Sequence, residues 1–135
     1  MHYVAFVHTD DAPGFGVSFP DFPGCVTQGD TLDEALRMAR AALAFHVEGM
    51  MMDGQTVREP SDIQHIESDP DLAEWRKGAT LAYVPLILDL GSPKRVNVSI
   101  APGLLAAIDD TAKARGMNRS AFLASAARKE IAGSW

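Results

Sequence analysis

Hydrophobic and polar positions change period several times along this chain. Tyr3, Ala5 and Val7 alternate with Val4, Phe6 and His8; Phe15, Val17 and Phe19 repeat that alternation, and Cys25 to Gln28 makes a short third run. A period of two is the pattern of β-strands. The intervening Thr9–Gly14 and Pro20–Gly24 segments have turn composition, so a three-stranded antiparallel meander is expected. The period then becomes helical. Leu32, Leu36, Ala39, Leu43, Val47 and Met50 form one stripe that ends at Asp53-Gly54. Thr31 and Glu34 in front of it fit a capping box, in which the Thr31 hydroxyl takes the Glu34 amide and the Glu34 carboxylate returns to the Thr31 amide. Gln55 to Gly78 is polar and acidic; its one local signal is Asp69-Pro70, which starts a short helix through Trp75. Thr80 to Leu90 alternates again with both faces mostly apolar, a strand covered on both sides, and Pro85 places it at an edge or bulge.

Beyond Gly91-Ser92-Pro93 the pattern restarts. Val96, Val98 and Ile100 alternate with Arg95, Asn97 and Ser99, so one face is apolar and the other carries a guanidinium, a carboxamide and a hydroxyl. Those groups can hydrogen-bond base edges in a DNA groove. A lone strand needs a partner, and the nearest candidate is the same strand of a second chain. Pro102 suits the first turn of a helix and holds Ala101 extended; Leu104, Leu105, Ile108 and Ala112 follow at helical spacing. Gly116 is placed for a left-handed cap, and Asn118 for capping a second helix with Phe122, Leu123, Ala126, Ala127 and Ile131. Lys94 to Ile131 resembles the ribbon-helix-helix family of Arc and MetJ, which inserts a two-stranded ribbon, one strand per subunit, into the major groove. Gly103, where that family often carries an acidic residue, departs from it and weakens the first helical turn. The plain alternative, a strand and two helices of a larger α+β core, fits less well, because so small a unit cannot bury a full core alone.

Charge separates the same two parts. Met1 to Leu90 holds 5 basic and 15 acidic residues, net −10, and Gly91 to Trp135 holds 7 and 3, net +4, within a chain of 135 residues and overall charge −6. A basic unit suits phosphate contact; an acidic one repels nucleic acid and attracts a basic protein. The expected organisation is 1–90, a hinge at 91–94, and 95–135. No apolar run is long enough to span a bilayer. Met1-His2-Tyr3-Val4 does not open a signal peptide, and the single Cys25 cannot form an internal disulfide, so a cytoplasmic location is expected.

The most specific text is Gly16-Val17-Ser18-Phe19-Pro20-Asp21-Phe22-Pro23-Gly24-Cys25-Val26-Thr27-Gln28-Gly29-Asp30-Thr31, continuing through Leu32-Asp33-Glu34-Ala35-Leu36 to Glu48-Gly49, Gly54 and Pro60. Over roughly Tyr3 to Ser61 the chain resembles the HicB antitoxin family. The resemblance implies an α+β architecture: a partial RNase H-like antiparallel sheet with one long helix, joined here to a ribbon-helix-helix module. It implies an antitoxin, not an enzyme, that neutralises a small basic HicA-type toxin, an mRNA-cleaving ribonuclease, through its N-terminal domain. It also implies repression of its own operon through operator DNA, as a homodimer, with N-terminal pairing into a tetramer left open. Arg95, Asn97 and Ser99 are the candidates for base contact, and Lys94, Arg119 and the start of the second helix at Asn118 and Ser120 for phosphate. For the toxin surface the candidates are Asp10, Asp11, Phe15, Asp21 and Phe22.

Other chemistry is poorly supplied. Two-metal nuclease chemistry needs converging carboxylates, and the first strand, Tyr3 to His8, carries none. His2, His8, His46 and His65 are scattered without ligand spacing, so neither a metal nor a cofactor is expected. Cys25 reads as a small buried apolar residue, Met50-Met51-Met52 as core or interface, and Gly14-x-Gly16 as too weak for a phosphate loop. The rival reading is a ligand-sensing repressor without a toxin partner.

Overall fold

The structure, a computed structural model, describes residues 1–9, 13–89 and 92–133. It divides into two compact units, Met1–Leu88 and Asp89–Trp135.

The first unit is built on a four-stranded sheet of β1 (His2–His8), β2 (Phe15–Ser18), β3 (Val26–Gly29) and β4 (Thr80–Pro85), in the order β3-β2-β1-β4. Every neighbouring pair is antiparallel. Both faces of β1 are covered, because its two alternating sets of side chains enter two separate cores. Tyr3, Ala5 and Val7 join Val17, Phe19 and Val84 against helix α1 (Leu32–Met52), which contributes Ala35, Ala39, Leu43 and Val47. Val4 and Phe6 face the other way, onto Ile66, with Leu72, Trp75 and Leu81 beside them. That second layer comes from the polar stretch: α2 (Ile63–Ser68), a 3-10 turn at Pro70–Leu72 capped by the Asp69 side chain, and α3 (Ala73–Arg76). Helix α2 is absent from the sequence expectation, since it buries a single residue, Ile66, and has no stripe to read.

Three local details differ from expectation. In the capping box, the Glu34 amide donates to Thr31 Oγ1 (3.1 Å) as expected, but the Glu34 carboxylate accepts from the Asp30 amide (3.2 Å) instead of the Thr31 amide. Leu32 lies outside the buried stripe, which begins at Ala35. The fourth strand stops at Pro85; beyond it the Leu86 amide still bonds across, to the Met1 carbonyl (2.9 Å). At Gly29 a Cβ would sit 2.5 Å from the Ala35 nitrogen, so only glycine lets the end of β3 pass the first turn of α1.

The second unit holds α4 (Pro102–Ala114) and α5 (Arg119–Ala132). Pro102 occupies the first helical turn. Helix α4 ends in a Schellman cap: Gly116 (φ +68) donates to the Lys113 carbonyl at 3.1 Å and Met117 to the Ala112 carbonyl at 2.8 Å. Asn118 Oδ1 then accepts the Ala121 amide (2.8 Å) and starts α5. Among the described residues, 95–100 form no ladder, so the expected strand keeps its alternation without a described strand partner.

Candidate nucleic-acid and partner interfaces

The face that Val96, Val98 and Ile100 were expected to bury is not buried within one chain. Val96 is 75% exposed and Val98 65%. Segment 93–98 and the first turns of α5 bound a groove of about 910 Å³ lined by Pro93, Lys94, Arg95, Val96, Asn97, Val98, Arg119, Ser120, Leu123 and Ala124. Five of the seven nucleic-acid candidates therefore meet around one opening; Ser99 and Asn118 lie off its lining. The groove mixes apolar and cationic side chains, so it offers both a surface to cover and charges to attract an anion.

Arg119 stands apart from the other candidates. Its Nε and Nη2 donate to Asp109 Oδ1 (2.9 Å) and Oδ2 (2.8 Å), a two-pronged pair that clasps α5 to α4. The hydrogen bonds from Arg119 hold the Asp109 carboxyl below its usual pKa, and Asp109 raises that of Arg119. In the fold this guanidinium is engaged by Asp109, while its side chain stays 54% exposed at the groove. Arg128 makes a similar pair with Asp89 (3.0 Å), and Arg115 lies 6.0 Å over the Phe122 ring.

In the first unit the expected toxin-facing residues sort differently. Asp10 and Asp11 lie outside the described residues. Phe15 is partly buried against the core. Asp21 and Phe22 are not surface groups, which corrects the expectation for both. Asp21 is 6% exposed and accepts from the Ser61 amide (2.8 Å) and hydroxyl (2.5 Å), with Arg58 Nε at 3.5 Å. Arg58 also donates to Ser61 Oγ (2.7 Å), and its carbonyl accepts from the Tyr3 hydroxyl (2.6 Å). Asp21 thus ties the 58–61 loop to the β2–β3 connection, a buried carboxylate made tolerable by its donors. Burial, then the charges of Glu59 and Asp21, push the Tyr3 phenol up, with Arg58 opposing. Phe22 packs 4.8 Å from Tyr3 and 5.7 Å from His46. Pro20, Asp21 and Phe22 are buried and close the core, while Pro23 is exposed.

What the sequence missed is on α1. Phe45 is 80% exposed in mid-helix, with Met38, Met51 and Met52 also exposed. The signal was present, since these residues fall off the buried stripe at a helical spacing of their own. Cys25 is buried, and burial alone pushes its thiol up to about 11. Among the described residues no three His, Cys, Asp or Glu side chains are grouped to hold a metal, and no helix is long and apolar enough to cross a membrane.

A two-face-covered antiparallel sheet followed by a small helical unit with an uncovered cationic groove is the architecture of a binding protein. The chain belongs to the HicB_like antitoxin family of bacterial toxin–antitoxin systems, whose pattern matches residues 3–127. An uncharacterised 14.9 kDa protein of Haemophilus phage HP1 is 32% identical over 120 residues, 87% of this chain and 89% of that one. The crystal structure of the Burkholderia pseudomallei antitoxin HicB is similar at a TM-score of 0.57 and 36% identity, over 94% of this chain and 96% of that one. A chain of a HicA3 and HicB3 toxin–antitoxin complex matches at a TM-score of 0.54 and 32% identity, over 64% of this chain and 99% of that one.

Proposed function

We propose that this antitoxin binds and neutralises a HicA-type, mRNA-cleaving toxin through its first unit and represses its own operon through its second. The toxin half is supported by the family match and by the complex above. That chain is covered to 99% by 64% of this one, a share close to that of Met1–Leu88, 88 of 135 residues. Net charge −10 on residues 1–90 suits a basic partner. Asp21 and Phe22, being buried, support the fold of that unit instead of touching the toxin. The RNase H resemblance is one of fold alone, with no carboxylate on β1. Toxin, mRNA and promoter share the cytoplasm, and the antitoxin works there.

The DNA half rests on one observation: an alternating segment whose apolar side, Val96 and Val98, is left 75% and 65% exposed beside a matching groove. The same segment of a second copy fits there as an antiparallel ribbon, giving a homodimer of ribbon-helix-helix type. Pairing covers the valines and turns Arg95, Asn97 and Ser99 outward to base edges. Lys94 and the first-turn amides of α5, at Arg119 and Ser120, face phosphate; the Arg119 side chain belongs to the clasp. Asn97→Ala is the test. Operator affinity falls by about 1–3 kcal/mol per lost base contact, non-specific binding stays, and toxin neutralisation in co-expression is untouched. Unchanged operator affinity in gel-shift titration, with the fold intact, would contradict the DNA half.

A further inference from the structure

The groove of the second unit carries three cations, and they are not equivalent. Lys94 and Arg95 come from the extended segment, and Arg119 is the first residue of α5. Among the described residues Arg119 alone of the three has a carboxylate in ion-pair range. Asp109 on α4 occupies its Nε and Nη2 donors. A guanidinium carries more N–H groups than these two, and the side chain is 54% exposed where it lines the groove.

The position of this pair gives it a consequence for binding. Arg119 stands at the helix end whose amides are assigned above to phosphate, so a free guanidinium there would be a further phosphate donor. Held by Asp109 it is not one, because the two charges cancel. Moving it to a phosphate would exchange one two-pronged charge-assisted contact for another. It would also leave Asp109 as a bare carboxylate beside the DNA backbone, which opposes the move. An exposed pair adds little stability, so its larger effect is on what Arg119 can reach. Arg128 offers a comparison within the same unit. Asp89 clasps it in the same way, at 3.1 and 3.0 Å, but it lies off the groove lining, about 13 Å further along α5 at 1.5 Å per residue.

We propose that Asp109 sets the DNA affinity of this protein by withholding the Arg119 guanidinium from the phosphate backbone, so that loss of Asp109 adds one phosphate contact per subunit. This rests on the DNA reading of the second unit, and it predicts a gain of binding where that reading predicts losses.

The test is a salt titration. Full-length wild type, Asp109→Asn, Arg119→Ala and the double variant are titrated on a random-sequence duplex and on a duplex from the chain's own promoter. Each phosphate contact adds about 0.9 to the slope of log affinity against log salt. One new contact on each of two subunits adds about 1.8, so the advantage of Asp109→Asn over wild type should shrink roughly tenfold between about 50 and 200 mM salt. Both duplexes should show it alike, since phosphate carries no sequence. The double variant should return to the slope of Arg119→Ala, which separates a released guanidinium from the mere loss of a negative charge. Asp109→Ala, which removes the acceptor as well, should match Asp109→Asn, and Asp89→Asn, which frees Arg128 away from the groove, should leave the slope alone. An unchanged slope in Asp109→Asn, a double variant as steep as Asp109→Asn, or equal steepening in Asp89→Asn would each overturn the proposal. If wild type binds both duplexes alike while Asp109→Asn still steepens, the withheld cation stands and the operator reading falls. If no variant binds either duplex, both fall.

Discussion

The two units of this antitoxin solve the burial problem in opposite ways. Among the described residues the first has fifteen buried hydrophobic side chains, and the second has two, Ile108 and Ala112. The first unit covers both faces of its sheet with its own helices. The second leaves Val96, Val98 and Leu104 more than half exposed, although each such side chain is worth roughly 1.5–3 kcal/mol when fully buried. In the proposed dimer that patterned apolar face is covered by the same segment of a second copy.

That contrast can be broken from either side. Leu43→Ala, at a position with no exposure in the α1 core, should destabilise the first unit by about 2–5 kcal/mol. Urea denaturation would measure it, and faster thiol labelling of Cys25 would place the damage in that core. Val98→Asp attacks the other unit. If one chain were the functional state, a change at a position 65% exposed would be nearly neutral. With the ribbon as proposed, it should weaken C-terminal pairing by about 2–4 kcal/mol per chain, from lost burial and the desolvated charge. Operator binding would go with it while the first unit melts unchanged.

Smaller effects sharpen the comparison. Asp21→Ala should destabilise the first unit by about 1–3 kcal/mol by leaving the Ser61 amide and hydroxyl without their acceptor. Toxin affinity measured on the surviving folded fraction should not change, since the residue is internal. Arg119→Ala has the least effect. It opens an exposed clasp, so it lowers stability of the second unit slightly and leaves the salt dependence of DNA binding as it was. The pH dependence follows from Asp109, whose pKa in the fold is lowered by Arg119. The contribution is fully present above the ordinary carboxylate pKa and is lost as pH falls through the lowered value, so melts of wild type and variant should converge in acid.

Much of this was legible where one physical rule governs a stretch. Strand β1 showed its two faces through strict alternation, and α5 showed its start through Asn118, whose carboxamide caps the Ala121 amide. Legibility failed where the deciding partner is distant in sequence. Asp21 looked like an exposed turn acid because Ser61, forty residues on, is what buries it. Arg119 looked like a free cation because Asp109 sits on the preceding helix. The tight fit at Gly29 carried no signal of its own in the sequence, because the approach of Ala35 is visible only in three dimensions. Helix α2 was hidden because its one buried residue, Ile66, makes no pattern. Segment 95–100 was read as a strand; its alternation is there, but it forms no ladder with the described residues, and the proposal supplies the missing partner from a second chain.

The central claim is that one unit is complete within a chain and the other only within a pair. Hydrogen–deuterium exchange of the full-length protein, followed by dilution series with light scattering at the same concentrations, tests it directly. Protection of the β1 and α1 core amides should be independent of concentration. Protection of amides in 95–100 and in α5 should fall as the particle dissociates. If the 95–100 amides remain equally protected at dilutions where light scattering shows a monomer, the second unit is complete by itself and the account is wrong.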